Sequence, residues 1–361
     1  MSQTGSTKTG SDPRPFTLAQ DKNRIAVLDF LRGIASLGVV FFHFFNVLNP
    51  GFLTSISYYG QLGVQVFFVI SGFIIPYSLY RGGYTLRHYG TFVLKRVVRL
   101  DPPYIVTIVI IMVLGVLSWY FPFQQGPVFE VSLPQVLLHF AYINVFFGYP
   151  WLSDVFWTLA IEFQYYLLIG LVFPLVFSRR LSIRLATFVA LGALSFVIHP
   201  PAYIFYYMFL FFMGIWTCQF KLGLIGKKEY ALLLALSTVM AVLTAGFAAT
   251  IAAFGAVCAI LFLDMSYAIF RFLGRISYSL YLIHSPIGRR ALNVLLRVTG
   301  AQSTPGRLLV ILIAMAFTIL AAYLFYLLIE RPAQRWSAAF RYRKHLKVEV
   351  SAEEIELNPA F

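Results

Sequence analysis

Long, nearly uninterrupted apolar runs constrain this chain more than any other feature. Of its 361 residues, 60% are hydrophobic and 12% are charged, whereas charged residues make up about a quarter of a soluble domain. A bilayer core about 30 Å thick needs roughly 20 apolar residues per helix, and the runs leave room for about ten such helices. The sequence therefore predicts an all-α fold, a polytopic bundle of about ten membrane-spanning helices.

The apolar runs also predict the organisation of the chain. Residues 1–24 are polar and predict a disordered cytoplasmic tail, 25–335 form the transmembrane domain, and 336–361 form a second cytoplasmic tail. Within 121–155, the apolar stretch 136–147 is too short to span and is expected near the outer interface. The predicted spans are 27–47, 62–80, 102–120, 156–177, 185–198, 202–220, 230–246, 249–265, 276–290 and 307–329.

The net charge of +14 does not indicate nucleic-acid binding, because the basic residues stand at the ends of apolar runs. Loops on the cytoplasmic side are enriched in Lys and Arg. One set of alternate connections, both tails included, holds 23 of the 28 basic residues, and the opposite set holds 4 in a single loop. The count predicts cytoplasmic termini.

Arg32 and His43 lie inside the first predicted span. They are eleven positions apart, which puts them on one helix face about 16 Å apart along the axis. Taken alone, Arg32 can be a side chain that snorkels to the inner interface, and His43 can hydrogen-bond a neighbouring helix. Their shared face favours a functional pair, with neutral His43 as a general base toward an alcohol.

Two further polar residues are predicted inside the membrane. Glu162 lies about six residues into the fourth span, at a depth similar to that of His43, where a carboxylate could orient the imidazole. The alternative is a buried neutral acid, or one paired with a structural arginine. His284, in the ninth span, is a second candidate, although a hydrogen bond across helices explains it equally well.

Arg96 and Arg99 lie one helical turn apart just before the third span. Two guanidinium groups at that spacing can hold a phosphate, although positive-inside anchoring explains the pair if the loop is taken alone. The chain has no Gly-rich phosphate loop, no H-E-x-x-H motif and no clustered histidines. We therefore expect no metal and no permanently bound cofactor, but a diffusible donor.

The chain resembles the integral-membrane acyltransferase 3 family, whose members O-acylate sugars on bacterial surface glycans and some small molecules. The ordered motifs that carry the resemblance are Leu28-Asp29-Phe-Leu-Arg32-Gly33 with His43 ten residues on, Gly63-Val-Gln-Val-Phe-Phe-Val-Ile-Ser71-Gly72-Phe73, Arg96-x-x-Arg99 leading into Pro102-Pro103-Tyr104, Phe156-Trp157-Thr-Leu-Ala-Ile-Glu162, Gly274-Arg-Ile-Ser277-Tyr278-Ser-Leu-Tyr281-Leu-Ile-His284, and Ile329-Glu330-Arg331-Pro332.

The resemblance implies an acyl-CoA donor, usually acetyl-CoA, and a glycan or glycolipid acceptor at the outer face of a bacterial inner membrane. It implies that His43 is catalytic, with Arg32 and Glu162 beside it. The residues expected at the donor are Arg96, Arg99, Ser71 and Arg32, and those expected at the acceptor are Trp157, Tyr281 and His284. The chain departs from the common fourth-span motif at Thr158 and Phe163, which leaves position 163 without an assigned role.

Two other classes of function are consistent with buried polar residues. A transporter or flippase also uses intramembrane Arg, His and Glu, but the sequence shows no internal repeat and no pair of broken helices. A membrane scaffold or sensor predicts instead that Arg32→Leu is tolerated.

Overall fold

A computed structural model describes residues 18–118, 120, 130–265 and 267–340 of the chain. All regular elements within these ranges are helical. The α-helices are α1 Leu18–Phe45, α2 Phe52–Tyr58, α3 Gly63–Arg81, α4 Tyr89–Ser118, α5 Leu133–Phe140, α6 Phe156–Val176, α7 Leu181–Val197, α8 Met208–Lys221, α9 Lys227–Ala245, α10 Phe247–Phe262, α11 Ala268–Ile283, α12 Arg290–Thr299, α13 Thr304–Phe325 and α14 Arg331–Ala339. Two π-helices, His284–Arg289 and Tyr326–Glu330, extend α11 and α13.

The all-α prediction is confirmed, and each predicted span contains a helix. Among the described residues, six helical segments are long and apolar enough to cross a membrane: 26–45, 52–81, 86–118, 156–176, 227–245 and 304–339. Helices α7 and α10 are shorter but apolar. The 14 residues of α8 rise only about 21 Å, less than a bilayer core, so the number of ten crossings stays a prediction.

The helices leave large apolar side chains on the outside of the bundle. Val109 on α4, Val189 on α7 and Leu312 on α13 are each more than half exposed. An outward apolar surface of this extent is incompatible with water and is satisfied by lipid tails. The protein is therefore a multi-pass membrane protein.

The predicted tails lie mostly outside the described residues, at 1–17 and 341–361. Helical structure reaches into the described part of both tails. Helix α1 begins at Leu18, and α14 continues to Ala339. Neither 18–24 nor 336–339 contains a proline or a glycine, so nothing in these segments interrupts a helix.

Helices α1 and α11 pack in parallel through glycines. A Cβ atom added at Gly274 would lie 2.5 Å from Asp29, and one added at Gly33 would lie 2.8 Å from the Cβ atom of Leu273. Small residues allow backbones to approach this closely in membrane helix pairs. The pairing brings residues of α11 alongside both polar residues of α1. We call the two ends of this helix pair the Arg32 end and the His43 end.

Helices α3 and α8 form a second close pair. A Cβ atom added at Gly214 would lie 2.8 Å from the carbonyl carbon of Gly72, and one at Gly72 would overlap the carbonyl oxygen of Phe211. The buried rings of Phe68 and Phe211 pack beside this contact, with centroids 5.0 Å apart. Residue Ser71 is thereby held at the centre of the bundle, 7% exposed.

Candidate active site

At the His43 end, the imidazole of His43 faces a carboxylate from another part of the chain. Its Nδ1 atom lies 3.6 Å from Asp154 Oδ2, and the two side chains are 14% and 41% exposed. The distance permits electrostatic attraction but exceeds that of a hydrogen bond. A carboxylate at this position orients the ring and favours its protonated form.

Asp154 is itself held by the π-helix that follows α11. Its Oδ1 accepts a hydrogen bond of 2.9 Å from Ser285 Oγ, and its Oδ2 accepts one of 2.5 Å from Arg289 Nη1. Burial alone raises the pKa of the Asp154 carboxyl, but His43, Ser285 and Arg289 outweigh burial and hold that pKa below its ordinary value. Asp154 is therefore a carboxylate at neutral pH.

Helix α5 fixes the loop that presents Asp154. Gln135 Nε2 donates to the carbonyl of Pro150 at 2.9 Å, and the Leu152 N–H donates to His139 Nε2 at 3.1 Å. Because Nε2 accepts, the proton of this buried ring is on Nδ1, which donates to the Gln135 carbonyl at 2.7 Å. Burial lowers the pKa of His139, so the neutral ring that this arrangement needs is the stable form.

His284 is fully buried beside His43, with the two ring centroids 5.1 Å apart. Its Nδ1 lies 2.7 Å from the carbonyl oxygen of Tyr281, so Nδ1 carries the proton and donates. Within the described chain, its Nε2 has no hydrogen-bond partner. The ring therefore offers an unused lone pair close to the imidazole of His43.

Tyr281 and Trp157, two predicted acceptor-binding residues, have different surroundings. The hydroxyl of Tyr281 shares a buried 2.7 Å hydrogen bond with Thr158 Oγ1. Trp157 lines a separate cavity of about 190 Å³ together with Trp151 and Gln164. Its ring lies 5.9 Å from that of Tyr207. The structure thus places Tyr281 next to His284, with ring centroids 5.9 Å apart. It places Trp157 in a cavity that neither Tyr281 nor His284 lines.

The predicted contact between Glu162 and His43 is absent. Glu162 instead accepts a 3.0 Å hydrogen bond from Ser71 Oγ and a short one from the hydroxyl of Tyr166. The reason is depth: Glu162 stands eight residues beyond Asp154 and about 9 Å inside α6 from its first turn, whereas His43 lies in the last turn of α1. Sequence reasoning missed Asp154, although it and Glu130 are the two acidic residues of the predicted outer loops.

The Arg32 end collects positive charge. Arg32 Nε donates to Ser277 Oγ at 3.3 Å, and both Arg32 and Arg96 are within electrostatic range of Arg99, which is half-buried. Glu330 interacts with Arg32 and Arg99; it is buried and accepts hydrogen bonds from Ser279 and Gln334. Asp29, one turn from Arg32 on α1, also interacts with Arg32. The three arginines outnumber these two carboxylates, which leaves the cluster suited to a polyanion.

Arg96 carries the unused donors of this cluster. The residue is 3% exposed, and its guanidinium carbon lies 5.3 Å from the ring of Phe92 and 5.6 Å from that of Tyr166. Its Nε and Nη2 atoms have no hydrogen-bond partner within the described residues. Adjacent N–H groups of this kind form bidentate hydrogen bonds with a phosphate or carboxylate.

Comparison with known proteins identifies the family to which this chain belongs. The model of the acyltransferase 3 family, described as an acyltransferase domain, matches residues 25–327. The chain belongs to this family. It is 28% identical over 187 residues to "Nodulation protein 10" of Rhizobium leguminosarum bv. viciae, covering 46% of this chain and 48% of the relative. It is 25% identical over 201 residues to "Putative acetyltransferase ORF330" of Acidianus two-tailed virus, covering 55% and 56%.

The chain thus spans about half the length of the relatives it matches. No solved structure matches it significantly. All the acyltransferase residues predicted from sequence lie within the matched range, and so does Asp154. Glu330, which lies in the electrostatic field of the arginine cluster, is three residues beyond it.

Proposed function

We propose that this membrane acyltransferase moves an acyl group, acetyl by preference, from cytoplasmic acyl-CoA to a hydroxyl of a glycan or glycolipid at the outer face of a bacterial inner membrane. The observation that carries the proposal is one continuous helix with a cationic cluster at one end and a histidine–carboxylate pair at the other. The loop charges favour cytoplasmic termini, which turns the Arg32 end toward the donor and the His43 end toward the acceptor.

The Arg32 end fits the nucleotide part of acyl-CoA. The two free donors of Arg96 offer a fork for one phosphate, while Arg32 and Arg99 add positive charge around it. Arg32 and His43 are separated by about 16 Å along α1. The flexible pantetheine arm of the donor would cover that distance and present its thioester beside His43.

At the His43 end, His43 takes the proton of the acceptor hydroxyl as its oxygen attacks the thioester carbonyl carbon. The tetrahedral intermediate collapses, the C–S bond breaks, and the imidazolium returns the proton to the leaving thiolate. Asp154 stabilises the imidazolium during this cycle. The free Nε2 of His284 is suited to accept a hydrogen bond from the acceptor.

Ser71 and Glu162 lie between the two ends and are assigned supporting roles. Their mutual hydrogen bond, with Tyr166 as a third member, connects α3 to α6. Tyr166 also stacks against Arg96. Glu162 therefore positions the donor end of the site, and we do not assign it to the base.

The test uses the purified full chain in lipid nanodiscs with radiolabelled acetyl-CoA and envelope glycans as acceptors. His43→Gln is expected to lower transfer by about 10²- to 10⁴-fold, the usual contribution of a general base. His199→Gln is the control, because His199 is an exposed histidine whose ring packs against Tyr206 and not against His43. Unimpaired transfer by His43→Gln would contradict the mechanism.

A genetic comparison identifies the acceptor. Surface polysaccharides of a deletion strain and its parent are compared by mass spectrometry. They are expected to differ by about 42 Da, the mass added by one acetyl substituent, for each acetyl group lost. Identical polysaccharides and glycolipids in the two strains would argue against a surface acceptor.

A further inference from the structure

A cleft opens at the His43 end, beside the residues that follow α1. It has a volume of about 520 Å³, within the usual range for small-molecule sites. It begins at Asn46, three residues after His43, and its far wall is α2 with the turn that follows. The lining residues are Asn46, Leu48, Pro50, Thr54, Ser55, Tyr58 and Tyr59.

The lining of the cleft combines polar and apolar groups and carries no charged side chain. In the part of the chain that the structure describes, the side chains of Asn46, Ser55, Tyr58 and Tyr59 make no hydrogen bond to the protein, while Thr54 is used to cap Gly51. One amide and three hydroxyl groups therefore face the cleft with their donors and acceptors free.

Aromatic rings lead from the cleft to the base. Tyr58 and Tyr59 stand nearly perpendicular, at 83° with centroids 6.0 Å apart. Tyr58 also contacts Phe42 at 6.1 Å, and Phe42 contacts the ring of His43 at 4.9 Å. A ligand seated against the two tyrosines would thus be two ring contacts away from His43.

The walls of the cleft are fixed by contacts outside it. Arg307 Nη1 donates to the carbonyl of Val47 at 2.8 Å, which ties the turn after α1 to α13. On the other side, a Cβ atom added at Gly38 would lie 3.2 Å from the carbonyl oxygen of Gly60. This backbone contact locks the turn that carries Tyr59 against α1, so the cleft is already formed without a ligand.

We infer that this cleft is the acceptor subsite and that it binds an uncharged sugar ring of the glycan. Free hydroxyl and amide groups match sugar hydroxyls, and the tyrosine rings offer flat apolar faces to the C–H side of a pyranose. The absence of basic residues from its lining gives no attraction to an anionic glycan. The inference rests on the proposed function, since it identifies the substrate class at the same site.

The binding test does not require catalysis. Oligosaccharides released from bacterial envelope polysaccharide are separated by anion exchange into neutral and acidic fractions, and binding to the purified full chain is measured by saturation-transfer NMR. We expect the neutral fraction to bind, and Tyr58→Ala to weaken its binding by about 3- to 10-fold through loss of ring contact. Tyr58→Phe, which keeps the ring, is expected to lose less.

Ile56→Ala is the matched control, because Ile56 is 54% exposed on the same helix and does not line the cleft. Preferential binding of the acidic fraction, or equal binding by Tyr58→Ala and wild type, would overturn the inference. The release of CoA from acetyl-CoA is followed in parallel. Sugar binding without any transfer by the wild type would refute the proposed function alone, whereas transfer that is indifferent to Tyr58→Ala would refute the cleft alone.

Discussion

Replacement of Arg96 separates a binding role from a structural one, because its two roles predict opposite changes in stability. The residue is 3% exposed, and two of its N–H groups have no partner in the described structure. Each buried unsatisfied group costs about 1–3 kcal/mol. Its contacts with Phe92 and Tyr166 return about 0.5–2 kcal/mol each. We therefore expect Arg96→Met to stabilise the protein by about 2 kcal/mol.

For a chain of this size, that gain corresponds to a rise in melting temperature of about 2–3 °C. The same substitution removes a two-pronged charged contact worth about 1.5–3 kcal/mol, so the affinity for acetyl-CoA should fall by about 10- to 100-fold. Thermal unfolding in nanodiscs and equilibrium binding of labelled acetyl-CoA measure the two effects on the same sample.

Arg184→Met is the control, since Arg184 is also buried but both of its Nη atoms have partners, and only its Nε lacks one in the described structure. The side chain donates to the carbonyl of Ser178 at 2.7 Å and forms a close ion pair with Glu229. Its replacement should lower the melting temperature and leave acetyl-CoA binding unchanged. If Arg96→Met also lowers the melting temperature and binds acetyl-CoA normally, Arg96 is a structural residue and the reasoning fails.

Three further predictions concern other parts of the molecule. Gly274→Ala should lower the melting temperature by the equivalent of about 1–3 kcal/mol, since the new Cβ atom would lie 2.5 Å from Asp29; an unchanged melting curve would contradict the packing described. Asp154→Asn should lower the transfer rate by at least about tenfold, but by less than loss of the base, with acetyl-CoA binding intact; an equal loss of binding would indicate misfolding. Because burial lowers the pKa of His139, the unfolded segment takes up a proton below about pH 6.5 that the folded ring does not. Amide hydrogen exchange at Leu152, corrected for intrinsic rates, should therefore accelerate by up to about tenfold per pH unit as the pH falls. The His139→Gln variant should lack this pH dependence.

The sequence predicts the features that are local to one helix. The shared face of Arg32 and His43 follows from helical periodicity. The membrane helices follow from apolar runs that are long enough to span a bilayer and too apolar to be exposed to water. The family resemblance supplied the acyl-transfer chemistry, and the family match confirmed that membership. These properties depend on spacing and composition, which a single chain displays directly.

The partners of those residues depend on contacts between distant segments. The carboxylate at His43 is Asp154, in a loop whose position depends on Gln135 and His139. A depth argument based on span boundaries selected Glu162 instead, because it assumes that loop residues remain outside the site. The free donors of Arg96 were equally unpredictable, since a sequence does not show which polar groups remain unpaired after packing.

The contact between α3 and α8 has a consequence for reading natural variation in this protein. Substitution scales rank glycine to alanine among the mildest exchanges, since it adds one methyl group and no charge. At Gly214 that methyl group would lie 2.8 Å from the carbonyl carbon of Gly72, next in sequence to Ser71, which bonds Glu162. The effect of variants at Gly72 and Gly214 should therefore be judged from the space available between the two backbones. An alanine at either position should be treated as a disruptive substitution.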